Sequence, residues 1–296
     1  AAFSIPGYEL VYNAPQETTL QDNDLRHAAE VWQQMFDAAR SHIDLAQFYV
    51  ANEKGSLLDG VLARLRAAGE RGVKIRFLME EKGVGLSTPE TLTALKAIPN
   101  LELRVIPFHR LTGGIVHAKY LLVDGKEAFV GSQNFDWRAL EQIQETGLRI
   151  SDPQTVQQIQ AIFDQDWQAQ ALLAEGKTVP KPARQAVASA PQGNYLVASP
   201  RDYNPSGVID SQVALPRLLA SAKSRIRVQV MDYAPLADRL GISSIKWELE
   251  DLAFYYLEPE EYQRIARMVQ DSRALREQDA NEAIKVLDDE LKRAIV

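Results

Sequence analysis

The chain has 296 residues, 46% of them hydrophobic, 25% charged and 8% aromatic, with a net charge of -7. These values suit a globular protein of about two domains, and they exclude a collagen-like or largely disordered chain and a globally basic nucleic-acid footprint. Cysteine is absent, which removes disulfides, thiolate zinc sites and cysteine nucleophiles, and the four histidines (His27, His42, His109 and His117) are too scattered to predict a metal cluster. In chain order, helical spacing is read over 25–42 and a strand over 43–50. An amphipathic helix follows from Leu57, running out at Gly69/Gly72, then a strand over Val73–Met79 and a short helix over Thr88–Ile98. Strands are expected at Leu101–Ile106, Val116–Val123 and Ala128–Val130, and a longer helix at Val156–Leu173. Strands alternating with helices predict an α/β domain with a parallel or mixed sheet.

Residues 1–174 read as one domain, and the Pro-, Ala- and Gln-rich stretch 175–194 as a linker. A short echo follows. Ala39-Arg40-Ser41-His42-Ile43 is matched by Ala222-Lys223-Ser224-Arg225-Ile226, each ending a helix and opening a strand. Residues 195–235 are therefore expected to begin a second repeat. Residues 236–296 change character: they carry 9 Lys/Arg and 14 Asp/Glu, and their apolar residues lie at helical spacing. No apolar run reaches the roughly 18–20 residues of a membrane-spanning helix, so no transmembrane segment is expected. The Ala1-Ala2 start suits either a removed secretory leader or a fragment boundary.

The segment that carries chemistry is 113–138. His117 and Lys119 are two apart on an expected strand and would face one side. A fixed cation beside an imidazole suits a phosphoryl centre, the lysine neutralising nonbridging oxygens while the imidazole attacks phosphorus. Ser132 and Asn134 share a face by the same period and would donate to those oxygens. Gly131 would permit close backbone approach. Each pair alone is commonplace: an edge-strand pair, or a turn. The joint spacing His117-x-Lys119, four residues, Asp124, six residues, Gly131-Ser132-x-Asn134 is not.

On these residues the chain resembles the phospholipase D superfamily, over about residues 5–235. The extension Asn134-Phe-Asp-Trp-Arg138, with Gln142 and Glu145-Thr-Gly147, is most similar to its bacterial secreted branch and to an animal branch of 5′ exonucleases on single-stranded nucleic acid. The resemblance implies an α/β fold with a phospholipase D-like mixed sheet flanked by helices. It implies that His117 is the nucleophile forming a phosphohistidine, or the acid that serves the leaving group. Lys119 and Asn134 would bind phosphate with support from Ser132. Glu145 would orient the imidazole, leaving Asp124 more structural than chemical. Plainer readings stand beside these: Asp124 as a turn carboxylate, Glu145 as a solvated helix-end charge, Trp137, Phe48 and Tyr49 as core aromatics. No metal and no cofactor are implied.

The superfamily's site joins two such motifs. The echo's offset would put a second His-x-Lys near residue 300, and no histidine follows His117. A homodimer would supply the missing half. Residues 233–296 instead resemble the helical connector of the bifunctional (p)ppGpp synthetase/hydrolase family, which suggests a chimera joined near Tyr233-Ala-Pro-Leu-Ala. Three functions follow in order: a metal-independent phosphodiesterase acting on phospholipid or single-stranded nucleic acid, a catalytically impaired phosphate-binding or structural module, and a fragment of (p)ppGpp metabolism. The secreted relatives imply a periplasmic or secreted protein, the tail's relatives a cytoplasmic one.

Overall fold

The computed structural model describes residues 4–182 and 193–228. Its elements run β1 (Ser4–Ile5), β2 (Tyr8–Asn13), α1 (Ala28–Ala38), β3 (His42–Gln47), β4 (Val50–Ala51), α2 (Leu57–Glu70), β5 (Lys74–Glu80), α3 (Pro89–Lys96), β6 (Leu101–Ile106), α4 (His109–Thr112), β7 (Lys119–Val123) and β8 (Glu127–Gly131). After these come β9 (Phe135–Asp136), α5 (Trp137–Glu141), β10 (Glu145–Ile150), α6 (Pro153–Ala174), β11 (Val197–Ala198), β12 (Ile209–Asp210) and α7 (Ser211–Ser221). Short 3-10 turns occupy Glu81–Leu86 and Arg201–Tyr203.

Eight strands form one mixed sheet in the order β1-β2-β10-β8-β7-β3-β5-β6. β3, β5 and β6 are parallel, joined through α2 and α3, while β7, β8, β10 and β2 pair antiparallel. The α/β class with a mixed sheet flanked by helices is therefore present as expected. The central strands are apolar on both faces, as a sheet covered on both sides requires. On one face Ile43, Leu45, Phe77, Leu121 and Phe129 pack against Trp32, Met35 and Phe36 of α1 and Leu58, Val61 and Leu65 of α2. On the other, Ala46, Leu78, Tyr120 and Leu122 pack against Val156, Ile159, Phe163 and Trp167 of α6.

Local chemistry sets the element ends. Ser56 caps α2 by accepting from the Asp59 N–H, and Asp152 caps α6 by accepting from the Thr155 N–H, with Pro153 at the first helical position. The β7–β8 turn uses Asp124 and Gly125, both at positive φ (55° and 62°), a left-handed pair that this dipeptide adopts readily.

Three departures from the sequence reading bear on function. β7 begins at Lys119, so His117 stands on the irregular run before the strand rather than on it. Gly113 and Gly114 precede that run, and the Val116 N–H is taken by Glu80 instead of a ladder partner. β2 and β10, which extend the sheet, were not expected. β10 (ETGLRI) is broken by a glycine and carries two charges, which hides its period. The strand expected to open at Ile226 is absent from residues 226–228, where Ile226 and Val228 are exposed. An extended run becomes a strand only beside another strand.

The chain divides into two compact units, Ala1–Ser211 and Gln212–Val296. In the second, the described residues are 212–228, most of them in α7, which carries Pro216 inside the helix. The remainder of the second repeat, the middle of the proposed linker and the whole segment 236–296 lie outside the described residues. Among the described residues no helix is long and apolar enough to cross a membrane.

Candidate active site

Five strand ends meet at one edge of the sheet. β3 and β5 finish there at Gln47 and Glu80, β8 finishes at Gly131, and β7 and β10 begin at Lys119 and Glu145. The register aligns them: Lys119 is opposite Gly131, and Gly131 is opposite Gly147. Lys119, Leu121 and Val123 share one sheet face by strand period, so the lysine rises from the end of the core under α1 and α2. The carboxyl ends of parallel strands are where α/β sheets gather ligands.

Lys119 is nearly buried, at 7% exposure. Its ammonium donates to the backbone oxygen of His117 (2.7 Å) and lies 3.0 Å from Nδ1 and 3.2 Å from Nε2 of the same imidazole. The two side chains thus share a pocket although His117 is not on the strand. Burial pulls the lysine down to about 8, against the attraction of Glu145. Glu145 opens β10 and is also nearly buried. Burial pushes its carboxyl up, while the Ser132 hydroxyl and the Lys119 charge draw it down. It is therefore not the solvated helix-end charge that its neighbourhood in the sequence allowed.

Ser132 donates its hydroxyl to Glu145 Oε2, and its Oγ accepts the Thr146 N–H at 3.1 Å. In this arrangement Ser132 holds the carboxylate. Asn134 lies just before β9; its Oδ1 is buried with no hydrogen-bond partner, while its backbone oxygen accepts from the Asp136 N–H (2.8 Å). Gly131 is a packing requirement: a Cβ would press into Gln133 Oε1, Phe129 Cε1 (2.9 Å) and Gly147 Cα (3.1 Å). Beneath the site lies a buried amide layer. Gln133 donates to Asn13 (2.9 Å), and Asn13 to the Ala139 carbonyl (2.5 Å), while the side-chain oxygens of Gln133 and Gln47 are left without partners.

Asp124 sits apart, at the far end of β7. Its carboxylate accepts from the backbone N–H groups of Arg40 (2.8 Å), Ser41 (2.8 Å) and His42 (3.0 Å) and from the Ser41 hydroxyl. Partial burial opposes ionisation, but these donors outweigh it and hold the group at about 2. The motif's aspartate ties the β7–β8 turn to the start of β3.

Sequence reasoning passed over one group at the site, Glu80, and took two others, Phe48 and Tyr49, for core aromatics. The Phe48 ring lies 4.8 Å from the His117 ring at 63°, an edge-to-face wall for the imidazole rather than a core aromatic. Tyr49 donates to Asp136 (2.5 Å), which is 1% exposed and also takes Arg138. Burial, then Asp136, pushes the Tyr49 hydroxyl up. Glu80 is fully buried and accepts the Val116 N–H (2.8 Å), pinning the backbone beside His117. Their position at the carboxyl ends of β3 and β5 was the available signal. Trp137 packs on the core as expected. Among the described residues no three His, Asp or Glu side chains stand close enough to hold a metal.

Residues 33–167 match the family described as cardiolipin synthase, PLD-like domain. Over 230 residues the chain is 27% identical to the mouse 5′-3′ exonuclease PLD4, covering 70% of this chain and 45% of that protein. Over 253 residues it is 30% identical to phospholipase D Z of Dictyostelium discoideum, covering 77% of this chain and 58% of that one. The chain spans about half the length of the curated relatives it matches. Among solved structures, NucT from Helicobacter pylori aligns with a TM-score of 0.45 at 16% identity, over 54% of this chain and 96% of that one.

Proposed function

We propose that the protein, whose residues 33–167 match a PLD-like domain family, is a phosphodiesterase acting through His117. The observation that carries this reading is the buried Lys119 ammonium lying against both ring nitrogens of His117, at the ligand-gathering edge of the sheet. The phosphodiester enters with its nonbridging oxygens towards Lys119 and Asn134. A neutral His117 attacks phosphorus, a P–N bond forms, and the P–O bond to the leaving alkoxide breaks. Water then attacks the phosphohistidine and returns the imidazole. Lys119 opposes the charge that gathers on the equatorial oxygens. Glu145, held by Ser132, offsets the lysine charge between turnovers. These groups supply charge neutralisation with no metal ion or cofactor.

The leaving alkoxide needs a proton from a second acid. A homodimer would supply it from the His117 of a second copy of the chain. The substrate is a single-stranded nucleic acid or a phospholipid; relatives named 5′-3′ exonucleases favour nucleic acid, and others are named phospholipase D. The experiment is hydrolysis of bis-p-nitrophenyl phosphate with and without EDTA, by the wild type and by His117→Asn. EDTA-resistant turnover that falls by at least about 10²-fold in the variant is expected. Turnover unaffected by the substitution would sink the proposal. Phosphate binding without turnover would favour the second reading, an impaired phosphate-binding module.

A further inference from the structure

We propose that Arg138 is a second anion subsite, taking the neighbouring phosphate of a single-stranded nucleic acid whose scissile phosphorus lies at His117. This inference rests on the nucleic-acid form of the phosphodiesterase reading and adds the residue that would distinguish a strand from a lone phosphodiester.

The location follows from contacts. Phe48 walls the His117 ring, and the next residue, Tyr49, donates its hydroxyl to Asp136. Asp136 is on β9, which pairs with β4 immediately after Tyr49, and its backbone N–H is bonded to the carbonyl of Asn134. Arg138 is clamped by that same Asp136. The guanidinium is therefore linked to the imidazole through Asp136 and two aromatic rings in contact, Tyr49 and Phe48.

The orientation follows from which donors are used. Asp136 takes Nε (3.2 Å) and Nη2 (2.7 Å), and its Oδ1 also accepts the Arg138 backbone N–H (2.8 Å). A carboxylate engaged on the Nε/Nη2 side leaves the Nη1/Nη2 fork turned away from it. That fork has the geometry to grip a phosphate with two parallel bonds. The carboxylate itself is 1% exposed, whereas the arginine side chain is 49% exposed. A buried anion thus fixes a half-exposed cation, limiting the rotamer freedom that an arginine loses when it binds. Tyr49 adds a second donor to Asp136, so the clamp does not depend on the arginine alone.

A mere structural pair would serve as well with the guanidinium covered. A lone phosphodiester has no second phosphate to place there, whereas a nucleic-acid strand always has one. In a protein of net charge -7 a fixed exposed fork beside the pocket is a local exception to the overall field.

The test is binding by the full chain, which needs no turnover. A short 3′-labelled oligothymidylate is titrated by fluorescence anisotropy across salt concentrations, with inorganic phosphate as the single-phosphate probe. Arg138→Gln is expected to lower the ratio of oligothymidylate to phosphate affinity about fivefold and to flatten the log K against log salt slope by about 0.7. Arg138→Lys, which keeps the charge and loses the fork, is expected to keep most of the slope at reduced affinity. Should Arg138→Gln fail to fold, the lysine variant carries the test through that affinity loss. An unchanged ratio, an unchanged slope, or no oligothymidylate binding by the wild type would overturn the inference. So would a loss confined to phosphatidylglycerol vesicles. Failure of the esterase reading shows separately, as bis-p-nitrophenyl phosphate turnover indifferent to His117→Asn.

Discussion

Two buried charged clusters sit on opposite faces of the same sheet and are built differently. Under α6, Asp44 is fully buried and receives Arg76 through two bonds of 2.7 Å, plus the amide of Gln160 at 2.8 Å. Arg76 reaches on to Asp164 (2.8 Å) and lies over the Phe163 ring at 4.8 Å. Both carboxylate oxygens and three guanidinium donors are engaged. Under α1 and α2, Lys119 and Glu145 are nearly as buried, yet each is displaced from its ordinary ionisation range and no direct ion pair joins them. Amide oxygens lack partners in both clusters: Gln160 Oε1 beside Asp44, and those of Gln47, Gln133 and Asn134 around Lys119 and Glu145. What separates them is the charges: the first cluster's ion pair is saturated and serves the fold, whereas the second's charges are not joined to each other and retain electrostatic capacity for a ligand.

That contrast is breakable. The largest effect is expected from Arg76→Leu, which strands a buried carboxylate and should cost about 3–5 kcal/mol in urea unfolding. Glu145→Gln should do the reverse, lowering turnover of bis-p-nitrophenyl phosphate by about 10²-fold with less than about 1 kcal/mol lost. If Glu145→Gln unfolds the protein while Arg76→Leu spares it, the assignment of the two clusters is wrong.

Asp124 belongs with the saturated cluster although it lies inside the motif. Asp124→Asn should cost about 1.5–3 kcal/mol at neutral pH, the value of charged hydrogen bonds to three backbone groups. Its ionisation is depressed to about 2, so this stability is present above the ordinary value of 3.8 and is lost as pH falls through about 2. Unfolding curves of wild type and variant should therefore converge in acid. A variant of full stability with no activity would move Asp124 into the chemistry.

Two pH experiments sharpen the picture with smaller effects. Lys119 is lowered to about 8, so phosphate binding should weaken as pH rises through that value. Folding stability should move the other way between about 8 and 10.5, because the unfolded chain there holds more protons than the native one. His27 caps α1 by accepting the Ala29 N–H at Nδ1, and burial lowers its ionisation from 6.5. Its contribution is complete above 6.5 and is lost as pH falls below it, the smallest shift expected and readable as a decline in thermal midpoint.

Much of the fold was legible because its signals are local. α2, β5, α3, β6, β8 and α6 stand within a few residues of their periodic patterns and caps. β10 was not legible, because its glycine and two charges hide its period and its place is set by pairing with β2, far earlier in the chain. Of the site, the motif spacing named His117, Lys119, Ser132 and Asn134 and the family resemblance added Glu145; the structure brings the first two into contact and joins Ser132 to Glu145. Phe48, Glu80 and Arg138 carry no comparable pattern, since what matters about them is the neighbour each acquires on folding.

By itself the sequence determined the class of fold, the helices and central strands, and the spacing of the His117-x-Lys119 motif. All of these rest on short-range periodicity and residue chemistry. Only the tertiary structure decided that Asp124 ties a turn, that Glu145 is buried on a strand end, and that Asp136 aims Arg138 outward. Burial and long-range pairing set those roles, and neither is a property of a residue's near neighbours in the chain.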